Sequence, residues 1–313
     1  MLLEQQIQKA HKLYTDENYK EALSIYDNIF SKITNPSLEL VKKYAVCLQE
    51  RLRYMESMKL TLELLEQKPD DTSMLLNYCI CLGKQNRHKE ALQQYEKILS
   101  IDSKFINQLG YYAYLLERTG NNEKADYYYK KALAHEPQNL WYTSHYAFFL
   151  QKNKRYKDSE FYYKKAIESD TNNTWLVKRY AFFIAEMRGK EFAYSYYDDL
   201  IKKDPHNYNY FINMVELALI FQDEDKAFEY LDKADKLEKP LVMDIILLFY
   251  KGTYFVFKKD YEKVKTILGD MSLLRKEYKS YIHRDLTDLN NFIEKNLNSN
   301  QRYEYSNILV SLN

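Results

Sequence analysis

The sequence predicts an all-α protein, an array of repeated antiparallel helix pairs, and three observations carry that expectation. Helix breakers are scarce, since 6 glycines and 5 prolines in 313 residues leave no Gly-rich or Pro-rich linker. The chain is similar to itself at a period of 34 residues. Within each period, small and large residues fall at spacings that a 3.6-residue helix places on one face. A chain of this length otherwise suggests about two globular domains, a limit that an elongated array escapes.

The period is read from EALQQYEKILS at Glu90, KADYYYKKALAHEP at Lys124, DSEFYYKKAIESD at Asp158 and EFAYSYYDDLIKKDP at Glu191. Their small anchors are Ala91, Ala125, Ser159 and Ala193, and the same frame reaches Ser57 and Ala22 upstream and Ala227 and a looser Val264 downstream. Twelve residues before each anchor stands a second small site: Ala10, Ala45, Cys79, Ala113, Ala147 and Ala181, then Val215 and Gly252. Small residues at matched sites let two successive helices approach closely, as a helical hairpin requires. Four residues after the anchor comes bulk, at Tyr26, Tyr95, Tyr129, Tyr163 and Tyr197. Pro69, Pro137 and Pro205 then mark the ends of several units, because proline cannot continue a helix.

These residues resemble the tetratricopeptide repeat family, and the resemblance spans residues 5–274. It implies helix pairs stacked into a right-handed superhelical solenoid whose concave face, lined by the first helix of each pair, receives peptides or partner proteins. One departure stands out. The bulk that the family places at repeat position 4 is here Val41, Leu75, Leu109, Thr143 and Val177, while tyrosine fills position 7 at Tyr44, Tyr78, Tyr112, Tyr146 and Tyr180. A half-repeat variety found in RNA-processing scaffolds is suggested by WLVKRYAFF at Trp175, but its tryptophan-to-tyrosine spacing does not match.

The expected organisation is a solenoid over 1–274, a capping helix over 275–298 and a tail over 299–313. The cap is predicted by an apolar stripe of Tyr278, Ile282, Leu286, Leu289, Ile293 and Leu297 with a polar remainder, which suits the open end of an array. The apolar run from Leu241 to Phe257 contains Asp244 and Lys251 and is shorter than the roughly 20 residues that span a bilayer, so it is expected to be a buried helix. The N-terminus, MLLEQQIQKAHK, lacks the apolar core of a signal peptide. With three cysteines, Cys47, Cys79 and Cys81, too few and too oddly placed for a disulfide framework, a cytoplasmic location is expected.

Function is expected in binding. Counting the first small site as position 8, positions 4, 7, 8 and 11 of each first helix face its partner helix, and positions 2, 5, 9 and 12 lie roughly opposite. Both tryptophans, Trp141 and Trp175, occupy position 2, and Tyr114, Phe148 and Phe182 occupy position 9. Beside this strip stand Tyr111, His145, Lys178, Arg179 and Lys152. The competing interpretation makes the aromatics the seam between neighbouring first helices, since large aromatics are usually buried. An exposed strip would instead demand a partner, with aromatic anchors and with Lys178 and Arg179 pairing an acidic group or a C-terminal carboxylate.

Other classes find less support. Aromatics interleaved with Lys and Arg can stack single-stranded RNA, yet 46 basic against 45 acidic residues give no global attraction to nucleic acid. No phosphate loop, nucleophile elbow or zinc-protease motif occurs, and the six histidines are scattered, so neither catalysis nor a metal or cofactor is expected. Cys79 and Cys81 take packing positions. A peptide-sensing regulatory receptor is the remaining alternative, although residues 1–31 already read as a repeat rather than as an effector module.

Overall fold

The computed structural model describes residues 3–103, 105, 108–170, 172–278, 282 and 284–312, among which eighteen α-helices and no strands are found. The first sixteen follow one another as first and second helices: α1 (Leu3–Thr15) and α2 (Tyr19–Phe30), α3 (Leu38–Glu50) and α4 (Tyr54–Gln67), α5 (Thr72–Lys84) and α6 (His88–Ile101), α7 (Leu109–Arg118) and α8 (Asn122–His135). They continue as α9 (Leu140–Lys152) and α10 (Tyr156–Ser169), α11 (Thr174–Arg188) and α12 (Lys190–Lys203), α13 (Tyr208–Ile220) and α14 (Glu224–Asp235), α15 (Leu241–Phe257) and α16 (Tyr261–Glu277). Two further helices, α17 (Thr287–Asn296) and α18 (Ser299–Leu312), close the chain. The chain divides into a first unit, Met1–Phe149, and a second, Leu150–Asn313.

The predicted small sites carry the packing. Every anchor, from Ala22 through Ser57 and Ser159 to Val264, is fully enclosed, as are Ala10, Ala45, Cys79, Ala113, Ala147, Ala181 and Val215. Serine is tolerated at such a site only with a partner: the Ser57 hydroxyl donates to the Ala45 carbonyl at 2.7 Å. The displaced bulk finds its explanation between repeats. The position-7 tyrosine packs on the second-helix tyrosine of the preceding pair, with ring centroids 6.0 Å apart for Tyr26 and Tyr44, 4.6 Å for Tyr95 and Tyr112, 5.4 Å for Tyr129 and Tyr146, and 5.7 Å for Tyr163 and Tyr180. In the run Tyr127-Tyr128-Tyr129, only Tyr129 is wholly enclosed, and Tyr127 is 59% exposed.

The turns inside the pairs repeat as well. Glu17, Leu52, Asn86, Gly120, Lys154, Gln222 and Lys259 all have positive φ, and most recur at the 34-residue spacing of the small sites. The residue after each of them returns its N–H to a carbonyl five residues back, as in Arg53 to Leu48 at 2.8 Å and Asn121 to Leu116 at 2.8 Å. This is the helix-ending bond that a left-handed residue makes possible. Only Gly120 among these seven escapes the steric cost of that conformation.

In the second unit the apolar α15 is enclosed by α13, α14, α16 and α18, which accounts for its long hydrophobic run. The stretch expected as one capping helix over 275–298 is divided: α16 runs to Glu277, residues 284–286 are not helical, and helix resumes at Thr287. The tail forms α18, which places Tyr305, Ile308 and Leu312 in the core against α15 and α16.

Candidate functional site

Within the first unit, the inner residues of α7 and α9 build an aromatic cluster. The Trp141 indole stacks on the His145 ring, centroids 3.8 Å apart and planes 20° from parallel, and the His145 Nδ1 lies 2.9 Å from the Trp141 carbonyl oxygen. The four-residue spacing brings the two rings together on one helix face. Tyr114 meets both edge-on at 6.0 Å and stacks on Tyr111 at 5.9 Å. Such pairs add about 0.5–1.5 kcal/mol each beyond area burial. Tyr111 is buried, whereas Tyr114, Trp141, His145 and Phe148 are half-buried.

Beside this cluster lies a cavity of about 400 Å³ on the first-helix face. Trp141, Tyr111 and Ile80 supply aromatic and aliphatic wall, and Gln49, Glu50, Tyr54, Lys84, Gln108 and Asn139 supply polar groups. Gln49 donates to the Glu50 carboxylate at 2.8 Å. Burial pushes the Glu50 carboxyl above the usual carboxylate range, with Lys84 pulling it the other way. Sequence reasoning named Tyr111 and Trp141 but missed Glu50, Tyr54 and Lys84. A position-13 charge in successive first helices, Glu50 and then Lys84, was the available signal.

The second unit treats its share of the predicted residues differently. Phe182 is half-buried against the core, and Lys152 is exposed. Lys178 and Arg179, expected to face a partner, are 4% and 5% exposed and are paired within the chain. Arg179 spans two carboxylates, Nη2 to Asp285 Oδ2 at 2.5 Å and Nη1 to Asp288 Oδ2 at 2.6 Å. The Trp175 indole N–H donates to the same Asp285 oxygen at 3.1 Å, and the Arg179 guanidinium lies 5.7 Å from the Trp175 ring centroid. Lys178 donates to the Asp285 carbonyl at 2.5 Å and pairs with Glu216 Oε1 at 2.5 Å.

The adjoining residue completes the arrangement. Arg284 donates to the Tyr250 hydroxyl at 2.7 Å and to Asn213 Oδ1 at 2.9 Å, and its Nη2 stands 3.9 Å from Glu216 Oε2. Tyr250 in turn donates to Glu216 at 2.5 Å. Burial opposes the Asp285 charge, but Arg179 and Lys178 outweigh it and hold the carboxyl far below the usual range. Sequence reasoning missed Glu216 as a pairing group, although a carboxylate at position 9, where other repeats carry aromatic or aliphatic residues, pointed to a buried cation.

Among the described residues there is no group of three or more His, Cys, Asp or Glu side chains that could hold a metal ion, and no helix long and apolar enough to cross a membrane. Stacked helix pairs with a lined first-helix face define a helical-repeat protein. Residues 145–173 match the tetratricopeptide repeat model, and the helix pairs have the fold of tetratricopeptide repeat structures. No curated protein matches it in sequence. Among solved structures it is similar to a tetratricopeptide repeat protein from Parabacteroides merdae ATCC 43184, with 15% identity and a TM-score of 0.57 over 78% of this chain and 97% of that one. It is similar also to PilW, a type IV pilus biogenesis factor, at 18% identity and TM-score 0.55 over 67% of this chain and 97% of that one. A third similar structure is the APC/C hetero-tetramer Cut9-Hcn1, at 15% identity and TM-score 0.54, covering 96% of this chain and 55% of that one. At these identities the likeness concerns the fold.

Proposed function

We propose that this protein is a non-catalytic adaptor that takes a peptide segment of a partner protein on the first-helix face of its first unit. The observation that carries this is the cavity of about 400 Å³ walled by Trp141 and Tyr111, with Tyr114 and His145 packed on the indole. An indole held by stacked neighbours offers apolar area without losing rotamer freedom on binding, which is the property of interface anchors. The Gln108 carboxamide suits the backbone of an extended segment, and Glu50 together with Lys84 favours a ligand of mixed charge. Phe148 is half-buried on α9, while in the second unit Lys178 and Arg179 are buried and paired within the chain, Trp175 and Phe182 are half-buried and Lys152 is exposed. Three buried free cysteines fit a reducing, cytoplasmic setting.

Capture of partner proteins by the intact chain and by Trp141→Ala tests this. The variant is expected to lose partner affinity by about 30-fold, the equivalent of roughly 2 kcal/mol, with its far-UV circular dichroism and Tm nearly unchanged. Parallel loss of fold and binding would make Trp141 a core residue and remove the proposal. Binding that instead falls steeply with added salt would indicate single-stranded nucleic acid.

A further inference from the structure

We infer that residues 284–288 are an intramolecular ligand, seated in a receptor on the first-helix face of the second unit, and that an acidic segment of a partner protein competes for the same seat. The receptor is the cationic and aromatic group Trp175, Lys178 and Arg179 on α11, and the ligand is the pair of carboxylates of Asp285 and Asp288. This goes beyond the adaptor function proposed for the first unit and does not depend on it.

Four features point to a ligand rather than to one more layer of core. The contacts of Asp285 and Asp288 to α11 are polar and charged: Trp175 and Arg179 donate to the two carboxylates, and Lys178 donates to the Asp285 carbonyl. Residues 284–286 lie outside any helix, between α16 and α17. The seat is specific to this repeat: the preceding repeat carries Trp141, Ser144 and His145 at the positions of Trp175, Lys178 and Arg179, so the stacking of pairs does not itself require two cations there. Finally, charge is matched along the segment, with Arg284 toward Glu216 and Tyr250 and with Asp285 and Asp288 toward Arg179. The pattern recognised is therefore basic, acidic, apolar, one free position, acidic, with Leu286 buried and Thr287 exposed. A partner peptide of that pattern, entering as a helix N-terminus the way Asp285 and Thr287 do, satisfies the same groups.

The test uses the full chain carrying Trp141→Phe, so that Trp175 is the single tryptophan reporter. Acrylamide quenching of Trp175 and titration with a synthetic peptide of residues 284–297 are measured with and without Asp285→Asn plus Asp288→Asn. The substituted chain is expected to show several-fold stronger quenching and at least 10-fold tighter peptide binding, and adding Arg179→Ala is expected to abolish that binding. Equal peptide affinity of both chains, or no binding by either, overturns the inference. Hydrogen exchange of the unsubstituted chain covers the case in which the variant does not fold: residues 287–296 are expected to exchange well before α11 and α13. Exchange of all three together would make the segment integral core and would also overturn it.

Discussion

The Arg179 guanidinium is an expensive residue to bury, and what makes it tolerable is the pair of carboxylates that meet it at 2.5 and 2.6 Å. Removing one member of such a set leaves the other charge without compensation. Arg179→Ala is therefore expected to destabilise the second unit by about 3–5 kcal/mol, and combining it with Asp285→Asn and Asp288→Asn is expected to cost less than the separate effects summed, as urea denaturation would show. The pH dependence follows from the direction of the Asp285 shift. Its carboxyl is held below the ordinary value of 3.8, so its contribution is complete above that pH and is lost as pH falls through the lower folded value. Stability from this pair should be flat between neutral pH and about 5 and should decline only in strong acid. In Asp285→Asn that acid-limb contribution should disappear, leaving a shallower loss of stability below pH 4.

At the scale of helices, close approach decides what can be changed. A methyl group added at Gly110 on α7 would overlap the Tyr142 ring of α9, a rigid aromatic wedged between repeats. Gly110→Ala is expected to lower stability by about 1–3 kcal/mol through overpacking, despite the better helix propensity of alanine. Thermal melting of the variant checks this, and an unchanged or raised Tm would show that Tyr142 moves freely. The turns give the opposite expectation. Lys154 holds φ of 59°, so Lys154→Gly should leave stability unchanged or raise it by up to about 1 kcal/mol. Glycine at an exposed interior site of α10 such as Lys164 should cost about 1 kcal/mol.

Within each unit most contacts run between helices adjacent in the chain, with α17 and α18 returning to α13, α15 and α16, so a lesion should stay within its unit. Truncation after Asn298 removes α18 and with it Tyr305, Ile308 and Leu312 from the face of α15 and α16. Hydrogen exchange is expected to lose protection in α15 to α17 while α1 to α8 keep theirs. Loss of protection throughout would mean that the chain unfolds as one cooperative body.

Much of this arrangement was legible in the residues alone. A repeat imposes the same packing demand every 34 positions, and enclosure admits only small side chains at Ala91, Ala125 and Ser159 and a large flat one at Tyr129. Because those demands arise between helices adjacent in sequence, periodicity records them. The same register singled out Trp141 and Tyr111, which tertiary structure then set into one cavity wall with Glu50 and Lys84 from earlier pairs. It also singled out Trp175, Lys178 and Arg179 but supplied no partner for them. The carboxylate that meets Trp175 and Arg179, that of Asp285, lies 106 positions from Arg179, in a stretch whose apolar stripe reads as an ordinary solvated helix. A repeat pattern specifies neighbours and leaves the destination of a non-repeating segment undetermined. Only the folded chain, by satisfying two buried cations with whatever carboxylates could reach them, decided where residues 284–288 would lie.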